Sequence, residues 1–574
     1  MIREPAARAS RVVAFLLLIC CYPAAATERP PTAAIASAHP LATAAGLEIL
    51  EAGGNAFDAA VAVTATLAVV EPAGSGLGGG GFWLLHRASD GHDTMIDGRE
   101  RAPAAATPDM YLDEHGEPLA RLSLDGALAA GIPGTAAGIA HLAGNYGRLP
   151  LERSLAPAIR HAREGFVVDE LYHRLIGFRL EALRQSPAAA AIYLEDNDAP
   201  RSGFALRQSD LADVLEAIAR EGFDGFYHGE IAERLVAGVR AAGGIWTLDD
   251  LADYRVIERE PVRGEYRGVR VVSAPPPSAG GIALITMLNV LAGYELERLD
   301  AVTRHHLVVE AMRRAYRDRA QYLGDPDFVE VPPELVTPAY AAGLRNSIRT
   351  DRATPSSLLP GMPADPRGAD TTHFSIIDAE GNRVAATLSI NLPFGSGFVP
   401  PGTGVLLNDE MDDFSSRADR PNTYGLISAE SGTNAIAPGK RPLSSMTPTF
   451  LDDGERVAIL GTPGGSRIIS MVLLGALEYA RGSGPEAWVA AGRYHHQFFP
   501  DHIAHEPDTF SAEEIKGLRA LGHELRVINR RYGNMQAIEW NRHSGEVKAA
   551  ADPRGVGSAE VLAPEESGKK KGEK

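Results

Sequence analysis

The chain has 574 residues, 45% of them hydrophobic and 23% charged, with a formal net charge of −18. That size and balance exclude a disordered chain and allow a large buried core or several domains. The acidity excludes nucleic acid and anionic membrane surfaces as partners.

At the N-terminus, Arg3, Arg8 and Arg11 precede an apolar run, Val12 to Tyr22, and then Ala24-Ala25-Ala26. This is the pattern of a secretory signal, residues 1–26, with an apolar core too short for a membrane span. It predicts an exported protein, periplasmic in the first instance or extracellular, with no stable membrane insertion once the signal is removed. Both cysteines, Cys20 and Cys21, lie inside it. The mature chain is therefore expected to lack disulfides, a thiol nucleophile and cysteine metal ligands.

Residues 32–73 are alanine-rich with a break at Gly53-Gly54, which predicts two closely packed helices. A glycine run then enters a short strand in "GSGLGGGGFWLLHR", and it is neither a phosphate loop nor a dinucleotide fingerprint. Residues 106–330 alternate helical stretches with loops; "EYRGVRVVSAPPPSAGGIALITMLNVL" reads as a strand, a rigid proline turn and a helix. Residues 331–370, rich in Pro, Ser, Asp and Gly, are the most linker-like part, above all from about 350 to 370. Beyond them the period changes. "THFSIID" and "RVAATLSINL" flank the turn Ala379-Glu380-Gly381-Asn382 as an antiparallel pair. "ERVAILGTPGGSRIISMVLLGALEYA" reads as strand, glycine turn and long helix, and the chain closes on a charged tail.

A linker running into a threonine at the start of a strand suits a specific chemistry. A hydroxyl is a poor nucleophile without a base beside it. If Thr371 became an N-terminus, its own α-amine would take the proton near neutral pH. By itself "TTH" means little, because threonine favours strands. His373 is read as structural, since strand alternation turns it away. Further along, "NDEMDD" gathers Glu410, Asp412 and Asp413, "GKRPLSSM" presents Ser444 and Ser445, and "GTPGGSR" offers the adjacent amides of Gly464 and Gly465 to an oxyanion. His495-His496 lacks the neighbours of a metal site.

Together these motifs resemble the γ-glutamyltransferase (glutathione hydrolase) family over essentially the whole exported chain. "TTHFSIID", "LLNDEMDDF", "GKRPLSSMTPT" and "GTPGGSRI" match its small subunit in order, and "GGNAFDAAVA", "GSGLGGGGF", "GIPGT", "PPPSAGG" and "YLGDPDF" its large subunit. The resemblance implies an α+β, four-layer αββα N-terminal-nucleophile fold and cleavage between Asp370 and Thr371. A large fragment, 27–370, and a small one, 371–574, would build a heterodimer. Thr371 would attack the γ-glutamyl amide of glutathione and other γ-glutamyl compounds, then pass the acyl group to water or to an amino acid or dipeptide. Arg99, Ser444 and Ser445 would hold the α-carboxylate; Asn391, Glu410 and Asp413 the α-ammonium; Gly464 and Gly465 the oxyanion. Ser389 would bond the nucleophile and Tyr424 would shield the ester. No cofactor and no metal are implied.

The chain departs from the family pattern at three places. Ser389 replaces the usual threonine, keeping the hydroxyl but losing the methyl that restricts its rotamer. Gly98 stands where an aromatic is common, which predicts a less firmly held Arg99. Glu410 stands for glutamine. Two other readings compete: a related amidase preferring glutaryl β-lactams or poly-γ-glutamate, and an uncleaved, non-enzymatic binding protein.

Overall fold

The computed structural model describes residues 29–119, 121–359, 371–415, 422–426 and 432–563. The signal segment 1–26, most of the 350–370 linker with Asp370, and the C-terminal charged tail lie outside them.

Two sheets form the centre. One has seven strands in the spatial order Ser558–Val561, Ala34–Ser37, Thr372–Ile377, Arg383–Ser389, Gly80–Arg87, His92–Gly98 and Ile257–Arg259. The other has six: Val547–Ala551, Gln536–Asn541, Arg456–Gly461, Thr449–Asp452, Val269–Ser273 and Val262–Tyr266. All pairings inside these sheets are antiparallel. The sheets pack face to face, and helices cover each outer face: Pro40–Glu51 and Ala56–Val70 on the first, Gly280–Leu291 and Ile468–Ala480 on the second. This is the four-layer αββα arrangement expected from the resemblance.

Strand Thr372–Ile377 is buried at every residue because it lies between these layers. Phe374 and Ile376 join the apolar cluster under the first helix pair. His373 and Ser375 point to the other sheet. Ser375 Oγ donates to the Gln536 carbonyl at 3.1 Å, and a side chain on Gly461 would run into the His373 ring, with 2.2 Å left to Cε1. The expected helix pair is present, and Gly46 is where it closes up, since a Cβ there would stand 2.7 Å from Val63 Cγ2.

Three segments differ from the sequence reading. "EYRGVRVVS" is a hairpin, Val262–Tyr266 with Val269–Ser273, turned by Arg267 and Gly268 at φ +51° and +84°. Two adjacent positive φ values match the right-handed twist of a tight hairpin. The start of the expected linker is folded: Pro333 and Pro338 open a 3-10 turn and the helix Pro338–Asn346, at the first helical position where a missing N–H costs nothing. The alanine-rich stretch also contains the strand Ala34–Ser37, which pairs with Thr372–Ile377 and with Ser558–Val561, both more than 300 residues later. Each central sheet therefore mixes strands from both sides of positions 370 and 371.

Candidate active site

Thr371 stands immediately before the strand Thr372–Ile377 in the middle of the seven-stranded sheet and is 5% exposed. Thr372 pairs with Leu388, so the next antiparallel step sets Ser389 across from Thr371. Both line one narrow cavity together with Arg99, Asn391, Asp413, Tyr424, Ser444, Ser445 and Gly465. Two expected residues lie elsewhere: Gly464 borders a neighbouring cleft that also reaches Thr371, and Glu410 sits behind Arg99, outside the cavity lining.

Each wall has a local cause. The strand Arg383–Ser389 ends at Ser389, whose Oγ accepts the Asn391 N–H at 2.8 Å. That turn puts Asn391 at φ +75°, a conformation asparagine tolerates. Asn391 Nδ2 donates to the Asp409 carbonyl at 2.9 Å, which leaves its buried Oδ1 without a hydrogen bond. Tyr424 closes the top. Its hydroxyl donates to the Asn391 carbonyl at 2.9 Å, and the Thr423 N–H donates to Asp412 Oδ2 at 2.9 Å. Ser444 Oγ accepts from the Met446 N–H at 3.1 Å, while Ser445 Oγ is buried without a partner. Gly464 and Gly465 have φ of +144° and +56° between a strand and the helix Ile468–Ala480. A Cβ at 465 would lie 2.5 Å from Tyr424 Cε1, which excludes a side chain there, while at 464 the φ of +144° favours glycine.

Charge is concentrated around Arg99, which is 1% exposed. Its Nη1 approaches Glu410 Oε2 at 2.7 Å and Glu100 Oε2 at 3.4 Å, its Nη2 pairs with Asp413, and its Nε donates to the Pro442 carbonyl at 3.2 Å. The Glu410 contact is one of charge alone, because neither Glu410 oxygen meets hydrogen-bond geometry. Burial pushes the Glu100 carboxyl up to about 7 and that of Glu410 well above the ordinary range, against the pull of Arg99. Burial opposes the Arg99 charge too, but Glu410, Asp413 and Glu100 outweigh it and hold the guanidinium firmly protonated. The looseness expected from Gly98 is therefore absent. Trp83 explains the glycine: a Cβ on Gly98 would stand 2.7 Å from the indole Cζ3, so the indole fills the space an aromatic at 98 would take.

Sequence reasoning missed two charged residues. Glu100 was hidden in "RER", where charges usually mark a solvated turn, yet it is fully buried. Arg319 lies on the helix Ala301–Tyr322, is 4% exposed, and lines the cavity. Its guanidinium forms no hydrogen bond or ion pair among the described residues, and its Nε is buried without a partner. Burial lowers its pKa to about 10, so it stays charged at neutral pH. Helical spacing marks Arg319 as an inward position but cannot say that a cavity lies there.

The histidines are structural. His373 is held by Thr387 Oγ1 at 2.8 Å and Ser375 Oγ at 3.3 Å, and burial lowers its pKa to about 3. His495 contacts Ser470 Oγ and Gln497 Oε1, both at 2.8 Å, and His496 contacts Asp501 Oδ1 at 3.2 Å. His306, Glu310 and His523 each bring one ligand atom within 4.8 Å of the others. Both Glu310 oxygens, however, are already engaged by Arg313, Arg314 and the Thr354 N–H.

The cavity thus joins a buried threonine at a strand head, a caged arginine, two serines and Gly465, with Gly464 next to it on the neighbouring cleft. The chain as a whole is similar to known proteins. A family model described as gamma-glutamyltranspeptidase matches residues 42–562. The glutathione hydrolase proenzyme of Escherichia coli (strain K12) is 42% identical over 531 residues, covering 91% of this chain and 90% of its own length. That of Pseudomonas sp. (strain A14) is 43% identical over 498 residues, covering 86% of each. The crystal structure of cephalosporin acylase from Bacillus halodurans superposes with a TM-score of 0.80 at 28% identity, over 98% of this chain and 99% of that one. With the family model spanning nearly all of the described residues and relatives above 40% identity along almost the full length, this chain belongs to the gamma-glutamyltranspeptidase family.

Proposed function

We propose that this chain is a self-processing γ-glutamyltransferase and glutathione hydrolase with Thr371 as its nucleophile. Thr371 Oγ attacks the carbonyl of Asp370, the peptide nitrogen becomes the free α-amine of Thr371, and water hydrolyses the resulting ester. The interleaving of strands from both sides of the cut keeps the two fragments in one body.

In turnover the α-amine accepts the Thr371 hydroxyl proton as Oγ adds to the γ-glutamyl amide. The N–H groups of Gly464 and Gly465 receive the oxyanion, and Ser389 orients the nucleophile. Collapse expels the amine, cysteinylglycine when glutathione is the donor, which takes the proton. Water, or an amino acid or dipeptide, then attacks the ester that Tyr424 covers. Arg99, Ser444 and Ser445 hold the α-carboxylate through charge-assisted bonds. Asp413 and Asn391 take the α-ammonium, joined by Glu410 once the incoming carboxylate shares Arg99. Arg319 adds a second positive charge for the same carboxylate. This work would take place outside the cytoplasm, in the periplasm first of all.

The observation that carries this reading is that Thr371 shares one cavity with Arg99, Asp413, Ser444 and Ser445. The acylase likeness favours a second reading, an amidase for glutaryl side chains. A glutaryl group lacks the α-ammonium, so it would leave Asp413 and Asn391 unmatched. Comparing kcat/KM for γ-glutamyl and glutaryl anilides separates the two: γ-glutamyl preference is expected, and faster glutaryl cleavage would overturn the proposal.

A further inference from the structure

Thr371 borders a second opening besides the narrow cavity. On its other side lies a broad cleft between the helix Glu170–Gly177 and the segments around Gly464, Tyr532 and Arg554. Five arginines line it, Arg174, Arg467, Arg530, Arg531 and Arg554, against a single carboxylate, Glu71. In a chain of net charge −18 this is a marked local reversal of sign.

The five are not equivalent. Arg554 is neutralised within the fold by Glu506 at 2.7 Å and Asp552 at 3.2 Å. The guanidinium groups of Arg174, Arg467, Arg530 and Arg531 form no hydrogen bond or ion pair with another described residue, and Arg467 lies over the Tyr532 ring at 5.2 Å. Arg174 comes from the helix Glu170–Gly177, and Arg530 and Arg531 from the segment that precedes Tyr532, so different elements bring them to the cleft. Like charges gathered around a concave surface repel one another and raise the local concentration of anions. Leu171, Leu175 and Phe178 line the cleft along with Arg174, which suits the methylene stem of a side chain that ends in a carboxylate.

We infer that this cleft receives the amine side of the reaction, both leaving group and acceptor, and selects amines that carry more than one carboxylate: acidic amino acids, acidic dipeptides and γ-linked glutamyl oligomers. The inference rests on Thr371 as nucleophile. With the glutamyl head in the narrow cavity, the bond broken at Thr371 directs its nitrogen to the other opening. One carboxylate engages one guanidinium fork; a second reaches another. These contacts are solvent-accessible, so added salt weakens them.

The test compares γ-glutamylglutamate, whose leaving group has two carboxylates, with the neutral γ-glutamyl-4-nitroanilide on the whole processed enzyme. The readout is the ratio of their kcat/KM values. Arg530 and Arg531 are exposed and outside regular structure, so Arg530→Gln/Arg531→Gln should fold normally. The ratio is expected to fall about 3–10-fold in that variant, the range for two exposed ion pairs, with anilide turnover unchanged. Arg174→Gln should lower it separately, Arg530→Lys/Arg531→Lys should restore most of it, and high salt should lower it in the parent. Normal anilide turnover with an unchanged ratio in both glutamine variants overturns the inference alone. Absence of anilide turnover in the parent overturns the nucleophile reading and the inference with it.

Discussion

Replacing Arg99 with glutamine removes the cation that Glu100, Glu410 and Asp413 share. Arg99 and Glu410 are each 1% exposed and Glu100 is fully buried, so water cannot take over the missing charge. Breaking a buried ion pair from one side costs about 3–5 kcal/mol, because the remaining charge is left without compensation. Here the penalty must depend on pH. Burial already raises both glutamates, Glu100 to about 7, while Arg99 pulls them down. Without Arg99 they hold their protons to higher pH in the folded state. A carboxyl whose folded pKa lies above its unfolded value makes the folded state bind more protons, so stability falls as pH rises between the two values. The Arg99→Gln penalty should therefore be small near pH 5, about 1 kcal/mol, and approach about 3–5 kcal/mol near pH 8. Urea unfolding of Arg99→Gln at both pH values, in a Thr371→Ala background so that one chain is followed, measures it. Adding Asp413→Asn should recover part of the loss, since the two residues are in direct contact. An equal penalty at both pH values would refute the claim that these carboxylates depend on Arg99 for their charge.

Gly465→Ala sets a Cβ 2.5 Å from the Tyr424 ring at φ +56°; it should cost about 1–3 kcal/mol in thermal unfolding and reduce kcat more than it raises KM. Burial raises Asp412 to about 6, although Ser123 Oγ and the Thr423 N–H both bond it. By the same sign rule the parent loses stability as pH rises from about 4 to 6, and Asp412→Asn should lose less across that window in a pH series of melting curves. Gly98→Phe should destabilise the protein unless Trp83, whose indole occupies the space, is reduced to a smaller residue in the same chain; unfolding of the single and double variants checks this.

How far the sequence could be read follows from where the information lies. The Thr371 hairpin was legible because its two strands are neighbours joined by a short turn, and their pairing is local. The glycine turn before Ile468–Ala480 was legible because a positive φ beside a close ring contact demands glycine. The strand Ala34–Ser37 was not. All four of its residues are buried, so it shows no alternation, and its partners begin more than 300 residues later. The hairpin Val262–Ser273 looks like one strand in the sequence because Arg267 is an unusual residue for a positive φ. The prolines at 333 and 338 suggested a linker, yet each opens a helical turn. Within the site, residue types and order were legible from the motifs, but not which charges face which. Glu410 lies behind Arg99, and Arg319 reaches the cavity from a helix whose pattern says only that it is packed.

The central claim is that a peptide bond breaks ahead of Thr371 and frees the amine that serves its own hydroxyl. Intact mass and N-terminal sequencing of the purified, active protein test it most directly. The account predicts two chains, the smaller beginning at Thr371, and a single inactive chain for Thr371→Ala. An active protein that remains one continuous polypeptide through positions 370 and 371 would contradict it.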